Sequence, residues 1–314
     1  MVVYDVPTLV EKFIEKPYML IMGKGKLAQR FNVTKGEIVR ARDIVKRMKL
    51  PLTTEVPKVL LLDIETAFMR AYVFSRWKQN IHLPQTISEW FMLSWSAKWL
   101  YSTEVMSDVL DPIEVKEEDD ERIAKSLWKL MDEADIVIAH NGDYFDLPKI
   151  NSRFILNELP PPSPYRTIDT LKVAQRTFGF SSNKLDALAQ YFGIDVKMDT
   201  GMSLWVRCMK GEEDALKYME EYNKKDVVIL EEVYLKLRPW IKGHPNMGIY
   251  MEEDKTLCSA CAGSNIYVIP DKFYFTQTTK YPVYRCMDCS ALTRGRKTVL
   301  DKEVVKTLGT SIPR

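Results

Sequence analysis

The sequence predicts an α/β protein: a sheet flanked by helices, preceded by a small all-α module and followed by a small β-rich tail. Three observations predict it. Residues 58 to about 240 alternate strand-like and helix-like patterns, as a chain does when it covers a sheet with helices. Residues 1–50 read as short helices, closed by a linker at Pro51 and Pro57. After a second linker, Lys242 to Thr256 with Gly243, Pro245 and Gly248, the tail carries two Cys-x-x-Cys pairs. The expected domain boundaries are therefore 1–50, 55–242 and 243–314.

With 314 residues, 46% of them hydrophobic and 28% charged, the chain can bury one large core plus smaller modules, and the composition argues against disorder. A net charge of +2 neither demands nor excludes a polyanionic partner, but the distribution is uneven. Lys24 to Lys49 gathers nine basic residues against Glu37 and Asp43, whereas Glu114 to Glu121 is acidic. No apolar run reaches the length of a membrane span, and the first residues lack a signal-peptide pattern. The expectation is a soluble, cytoplasmic protein with no membrane partner.

In chain order, "KGKLAQRFNVTKGEIVRARDIVKRM" reads as a helix-turn-helix. Leu27, Ala28 and Phe31 share one face, Asn32 suits a left-handed turn, and Thr34 can cap the second helix, whose buried face is Ile38, Val39 and Ile44. Lys35, Arg40, Arg42 and Arg47 are read as outward residues able to meet phosphates. The alternative is a helical bundle that packs on the core or on a partner protein.

In the central region, the strands are expected at Val59–Ile64, Ala71–Trp77, Ile87–Trp99 (shortened by a bend) and Ile136–Ala139. Helices are expected at Asp119–Asp132, Leu147–Asn157, Asn183–Tyr191 and Glu212–Leu237, the last stopped by Pro239. The strand "VLLLDIET" carries Asp63 and Glu65 two apart, so both point to one side of the sheet. Two carboxylates that close repel, and a cation between them relieves the repulsion. Asp146 follows another strand and precedes a helix with Pro148 in its first turn, where an Asp is also an ordinary N-cap. Tyr222 and Asp226 stand four apart on the late helix and so share a face.

These residues, in this order, resemble the DEDD superfamily of 3′–5′ exonucleases, in the branch with Tyr in its last motif, as in the proofreading domains of family-B DNA polymerases. The first motif stands as Asp63-Ile64-Glu65-Thr66, the second as Asn141-Gly142-Asp143-Tyr144-Phe145-Asp146, the third as Tyr222-Asn223-Lys224-Lys225-Asp226. Lys184-Leu185-Asp186-Ala187-Leu188 is also similar to this family, and the resemblance covers roughly residues 55–240. It implies an RNase H-like mixed sheet and a two-metal phosphodiester hydrolase using Mg²⁺ or Mn²⁺. By the same resemblance, Asp63 would bridge both ions, Glu65 and Asp226 would complete the site of the attacking water, and Asp146 would hold the second ion. Tyr222 would orient the water, since a phenol with a pKa of ~10 suits a positioner better than a base. Asn141 is assigned to the nucleic acid. Asp143 has no role in the pattern, Asp169 reads as a helix cap, and His140 reads as structural or as a substrate contact.

The tail carries Cys258-x2-Cys261, then 24 residues, then Cys286-x2-Cys289, around strands expected at Asn265–Pro270 and Phe273–Tyr284. This resembles a zinc ribbon, in which four thiolates close one structural Zn²⁺ site; a redox dithiol is the alternative. Ser290 stands after Cys289 where the common form has Gly, and Cys208 reads as a packed apolar residue.

The whole reading is a 3′–5′ exonuclease acting on nucleic-acid 3′ ends, with DNA favoured. Chains of this build resemble those of bacteriophages, which implies a role in DNA replication, repair or degradation, the host cytoplasm as location and a replication protein as a partner. An exoribonuclease is the alternative within the enzyme class, since recognition of the ribose 2′-OH leaves no motif here. A non-catalytic binding or scaffold protein on the same fold is the alternative outside it. The roughly 70 residues after the core leave no room for a polymerase region.

Overall fold

The computed structural model describes residues 6–15, 19, 24–47, 57–194, 200–251 and 255–310. The chain forms two compact units, Met1–Val56 with Tyr101–Thr103, and Pro57–Leu100 with Glu104–Arg314.

The first unit holds α1 (Val6–Glu15), α2 (Lys24–Phe31) and α3 (Lys35–Arg47). Leu9 and Phe13, Leu27 and Phe31 are helical i, i+4 pairs, and with Met19, Ile38 and Ala41 they make its core. Asn32 takes a left-handed φ of 52° between α2 and α3. Thr34 Oγ1 accepts from Glu37 N at 3.2 Å while the Glu37 carboxylate accepts from Thr34 N at 2.7 Å, a reciprocal cap on α3. Val39 is only partly covered. Lys35 and Arg40 are exposed, but Arg42 is half-buried and its guanidinium donates to the Met19 carbonyl at 3.0 Å, so it is not turned freely outward. The Ile44 and Arg47 side chains and Pro51 lie outside the described residues.

The second unit begins with β1 (Val59–Thr66), β2 (Arg70–Ala71), β3 (Thr86–Ser88), β4 (Met92–Trp99) and β5 (Met106–Val109). There follow α4 (Pro112–Glu117), α5 (Glu121–Glu133), β6 (Ile136–Ala139), α6 (Asp146–Leu156), β7 (Arg166–Asp169) and α7 (Thr170–Thr177). Then come α8 (Leu185–Tyr191), α9 (Met202–Met209) and α10 (Glu213–Leu237). Five strands make a mixed sheet in the order β5-β4-β1-β6-β7, antiparallel across β5, β4 and β1 and parallel across β1, β6 and β7.

Alternation along β1 divides its side chains between two layers. Leu60, Leu62 and Ile64 join Trp95, Ile123, Leu127 and Ile150, so α5 and α6 cover one face. Val59 and Leu61 join Ile136, Ile138, Val227, Leu230 and Tyr234, so α10 covers the other. Two buried ion pairs fix these layers: Lys98 of β4 with Glu231 of α10, and Asp120 with Arg153 of α6, whose Nη2 lies 2.8 Å from Asp120 Oδ1.

The tail adds β8 (Ile266–Phe275), β9 (Lys280–Cys286) and β10 (Leu292–Arg294), an antiparallel sheet in the order β10-β9-β8, then α11 (Lys302–Lys306). It is tied to the end of α10, where the Tyr234 hydroxyl lies 2.8 Å from His244 Nε2 and Met247 N donates to Ser259 O at 2.9 Å.

Several expected elements differ. The strand expected at Ala71–Trp77 shrinks to the two-residue β2, because beyond Ala71 no neighbouring strand pairs with the chain; Phe74 is 100% exposed. Ile87–Trp99 divides into β3, which pairs with β2, and β4, which enters the main sheet. Phe273–Tyr284 is two strands joined at a turn, where Thr276 N donates to Thr279 O at 2.9 Å. The short elements β5, β7, α4 and α9 were not anticipated; each is at most eight residues, too short for a clear period. No helix among the described residues is long and apolar enough to cross a membrane.

Candidate active site

The sheet delivers the first two acids. Asp63 stands opposite Ser96 and Glu65 opposite Ser94, and both serines are fully buried. Two small side chains on β4 leave room on that face for carboxylates from β1 and for α10 above them. The register slips between Glu65 and Thr66, a bulge that lets the end of β1 turn away from β4 beside the acids.

Helix α10 supplies the third acid. One oxygen from each of Asp63, Glu65 and Asp226 lies within 4.8 Å of the others, although the residues come from opposite ends of the domain. Asp146 joins from the start of α6. It is the first residue of that helix rather than its cap, which is Phe145, and it is 2% exposed. Its Oδ1 instead accepts from Ile64 N at 3.2 Å, which ties the second motif to the residue between Asp63 and Glu65.

Four carboxylates in one partly covered site raise one another's proton affinity. Burial, then the charges of Asp146, Glu65 and Asp226, holds the Asp63 carboxyl well above the usual carboxylate range. Burial, with the charges of Asp226 and Asp146, pushes Glu65 up to about 8. Burial raises Asp146 to about 7 and Asp226 to about 6, the latter held down by a hydrogen bond from Tyr222. The cluster is short of positive charge, and all its donors are oxygen; that set is compatible with Mg²⁺ or Mn²⁺.

Tyr222 stands one helical turn before Asp226 and donates its hydroxyl to that carboxylate. Burial and the neighbouring negative charges raise its pKa, so the phenol keeps its proton. Asn223, between the two in sequence, is fully buried and donates from Nδ2 to Asp63 Oδ2 at 2.5 Å. Its Oδ1 lies 3.5 Å from Ser94 Oγ. Trp205 of α9 hydrogen-bonds Glu65 and meets the Tyr222 ring edge-on at 6.5 Å. Sequence reasoning missed both Asn223 and Trp205. A signal existed for the first: an amide on the apolar face of a helix, three residues before an acid, has few uses other than holding a polar neighbour.

The remaining candidates are placed as follows. Asn141 takes a left-handed φ of 68° and its N–H donates to Asp169 Oδ1 at 3.0 Å. Gly142 packs on Ala139, where a Cβ would approach to 2.4 Å, so this turn admits no larger residue. Asp169 caps α7 through Leu171 N and Lys172 N. His140 is bound on both nitrogens, 2.9 Å from Thr170 Oγ1 and 2.9 Å from the Asn183 carbonyl, and burial lowers its pKa; it is a structural latch. Asp143 pairs with Lys172 at 2.6 Å. Tyr144 is 77% exposed beside them, with Lys172 over its ring. Cys208 is buried.

In the tail, the Sγ atoms of Cys258, Cys261, Cys286 and Cys289 all lie within 4.8 Å of one another. Cys258 and Cys289 are 3.6 Å apart, and Cys261 and Cys286 are 3.7 Å apart. A tetrahedron with Zn–S of ~2.3 Å has edges of ~3.8 Å, so four thiolates here fit one zinc ion.

Comparison with known proteins gives a match to a family model over part of the chain. The RNase_H_2 model of the RNase_H superfamily matches residues 101–238, a span that includes Asp146, Tyr222 and Asp226 but not β1. Among solved structures, the chain is similar to the family B DNA polymerase from the hyperthermophilic archaeon Pyrobaculum calidifontis, at 13% identity and a TM-score of 0.41. That similarity covers 73% of this chain and 33% of the polymerase, so the chain spans about a third of its length. No curated protein matches the sequence.

Proposed function

We propose that the chain, whose residues 101–238 match the RNase_H_2 model of the RNase_H superfamily, is a metal-dependent 3′–5′ exonuclease acting on DNA. The observation that carries this reading is the convergence of Asp63, Glu65 and Asp226, with Asp146 hydrogen-bonded to the backbone between the first two. A structural acid cluster would have cations paired into it; these four acids are in no ion pair among the described residues, and their donors are Asn223, Trp205, Tyr222 and the Ile64 N–H.

On this reading Asp63, Glu65 and Asp226 hold divalent cations and Asp146 supports them. The bound ions supply activation of a water and stabilisation of charge on the attacking and leaving oxygens. Asn223 keeps the Asp63 carboxylate in one rotamer, and Trp205 does the same for Glu65. Tyr222, protonated and fixed against Asp226, is placed to hydrogen-bond the attacking water and aim it. The water oxygen adds to phosphorus, the P–O3′ bond breaks, and the products are a nucleoside 5′-monophosphate and a strand one residue shorter with a new 3′ hydroxyl. Tyr144, exposed and two residues before Asp146, has one ring face covered by Lys172, and its other face could receive a terminal base.

We read residues 1–50, 55–242 and 243–314 as accessory helical module, exonuclease domain and zinc ribbon, the ribbon holding one Zn²⁺ through its four cysteines. Lys35 and Arg40 remain candidates for phosphate contact, and the sequence resemblance supports a setting in phage DNA replication, repair or degradation.

End-labelled single-stranded DNA and RNA, incubated with and without Mn²⁺, test the reading. Wild type should shorten the DNA from its 3′ end only with metal. Removing one transition-state stabiliser costs roughly 10²–10³-fold, so Asp226→Ala should lose at least that while binding DNA as before. Wild-type cleavage by Asp226→Ala would overturn the site assignment, and a product ladder on RNA alone would move the substrate class.

A further inference from the structure

A second surface of the larger unit has no part in the site above. The end of α10 and the turn Arg238–Trp240 face the sheet of the tail across a groove of about 1620 Å³. Its charge is one-sided. Lys242, Lys272, Arg285, Arg294, Arg296 and Lys297 line it, all exposed, and none is in an ion pair among the described residues. No aspartate or glutamate lines it, in a chain that has 43 of them against 45 lysines and arginines. What distinguishes the groove is the gathering of these cations with no acid between them, whereas exposed Arg122 is met by Asp108 and Glu114.

The groove also offers flat apolar faces. Trp240 is 60% exposed at one wall and Tyr274 51% at the other. The Arg294 guanidinium lies over two rings, 5.2 Å from the Tyr274 centroid and 4.6 Å from that of Tyr281. Unpaired cations along a channel suit a phosphate backbone, and exposed rings suit unstacked bases. A duplex presents only the first of these, a single strand both.

We propose that this groove binds single-stranded nucleic acid and is the holding site of the strand being cut. That second clause rests on the nuclease reading; the binding itself does not. The spacing is set by α10, which carries Asp226 and leads directly into Arg238. Twelve residues of helix rise ~18 Å, and at ~3.4 Å per stacked nucleotide that is on the order of five nucleotides. Strands shorter than this reach the carboxylates without reaching the groove.

The test uses the full-length, zinc-loaded protein and two substituted forms: Lys272→Ala with Arg294→Ala and Lys297→Ala, and separately Trp240→Ala. Binding of fluorescein-labelled (dT)30 and U30 is measured without added Mg²⁺ or Mn²⁺, across a salt series, with zinc content and melting temperature as folding controls. The triple variant should bind (dT)30 at least ~10-fold more weakly. Its log-affinity against log-salt slope should be shallower by about 2, at ~0.7 per lost contact on a single strand. Trp240→Ala should weaken binding ~5-fold or more through lost stacking, with the slope unchanged. Cleavage of (dT)4 should be the same in all three. Unchanged affinity and slope for both (dT)30 and U30 in the triple variant would overturn the proposal, as would displacement by an acidic peptide but not by an oligonucleotide. If wild type bound (dT)30 through the groove yet cut nothing with Mn²⁺, the nuclease reading would fail and the groove would stand.

Discussion

The protein gathers ligand atoms in two places, and the two are built in opposite ways. The carboxylate cluster draws on β1, α6 and α10, with Asn223 and Asp63 160 residues apart in sequence. Its members repel, and the surrounding fold holds them together. The thiol cluster draws on two short turns, with Cys258 and Cys289 only 31 apart, and the sheet around it has few other buried residues. Here the ligands hold the fold. The first arrangement leaves unsatisfied charge for a substrate's chemistry; the second is closed on all four sides and leaves nothing to react. On the proposed reading, a metal ion would be a reagent in one place and a structural member in the other.

The sharpest way to break this contrast is at the thiols. Zinc binding in small modules amounts to ~10–16 kcal/mol, as much as the whole stability of an ordinary domain, so Cys258→Ser with Cys286→Ser should unfold the tail. Metal analysis after dialysis should fall from about one zinc per chain to none, and limited proteolysis should cut within residues 255–310 while the core survives. Zinc retained by the double variant would mean that the cluster is not its site.

A smaller effect is expected from the residue that steadies the carboxylates. Loss of a partner that orients a metal ligand costs ~10–100-fold, so Asn223→Leu should lose about that in turnover and need more Mn²⁺ for half-maximal rate. A Leu of similar volume should leave the melting temperature within a few degrees. An unchanged Mn²⁺ requirement would reduce Asn223 to packing.

The smallest effect is on stability against pH. Glu65, Asp146 and Asp226 have folded values of about 8, 7 and 6 without metal, all above the ~4 of an unfolded carboxyl. The folded state thus binds more protons over that range. Its advantage is complete below pH ~4 and is lost as pH rises through 6 to 8. Metal-free, zinc-loaded protein should melt several degrees lower at pH 8.5 than at pH 5.5, and Mn²⁺ should restore more at the higher pH. Buried His140 and His244 work in the reverse sense, so the comparison is made against Glu65→Gln, whose slope should be shallower. Identical slopes would deny the repulsion.

Much of the chemistry was legible because it is written in types and order: acids on a strand end, a phenol and an acid one turn apart, thiols in pairs. The sheet's centre was legible too, since Val59–Leu62 and Ile136–Ala139 are buried on both faces and read as short apolar runs. What escaped was whatever depends on a neighbour. Residues 72–77 have the composition of a strand but, among the described residues, no strand to pair with. Asn223 and Trp205 acquire their roles only when α9 and α10 fold against β1. The basic groove takes its cations from segments on either side of the cysteines, and no single window of sequence shows it.

The alternation along β1 has a consequence for how the chain reaches this state. A slip of one position against β4 or β6 would exchange the two layers, setting Asp63 and Glu65 among Leu127 and Ile150 and turning Leu62 and Ile64 toward α10. Stranding a charge in such surroundings costs several kilocalories per mole, far more than a slipped ladder of backbone hydrogen bonds could return. The residues assigned to cutting a phosphodiester thus also proofread the protein's own assembly, admitting only the pairing in which they face the cleft.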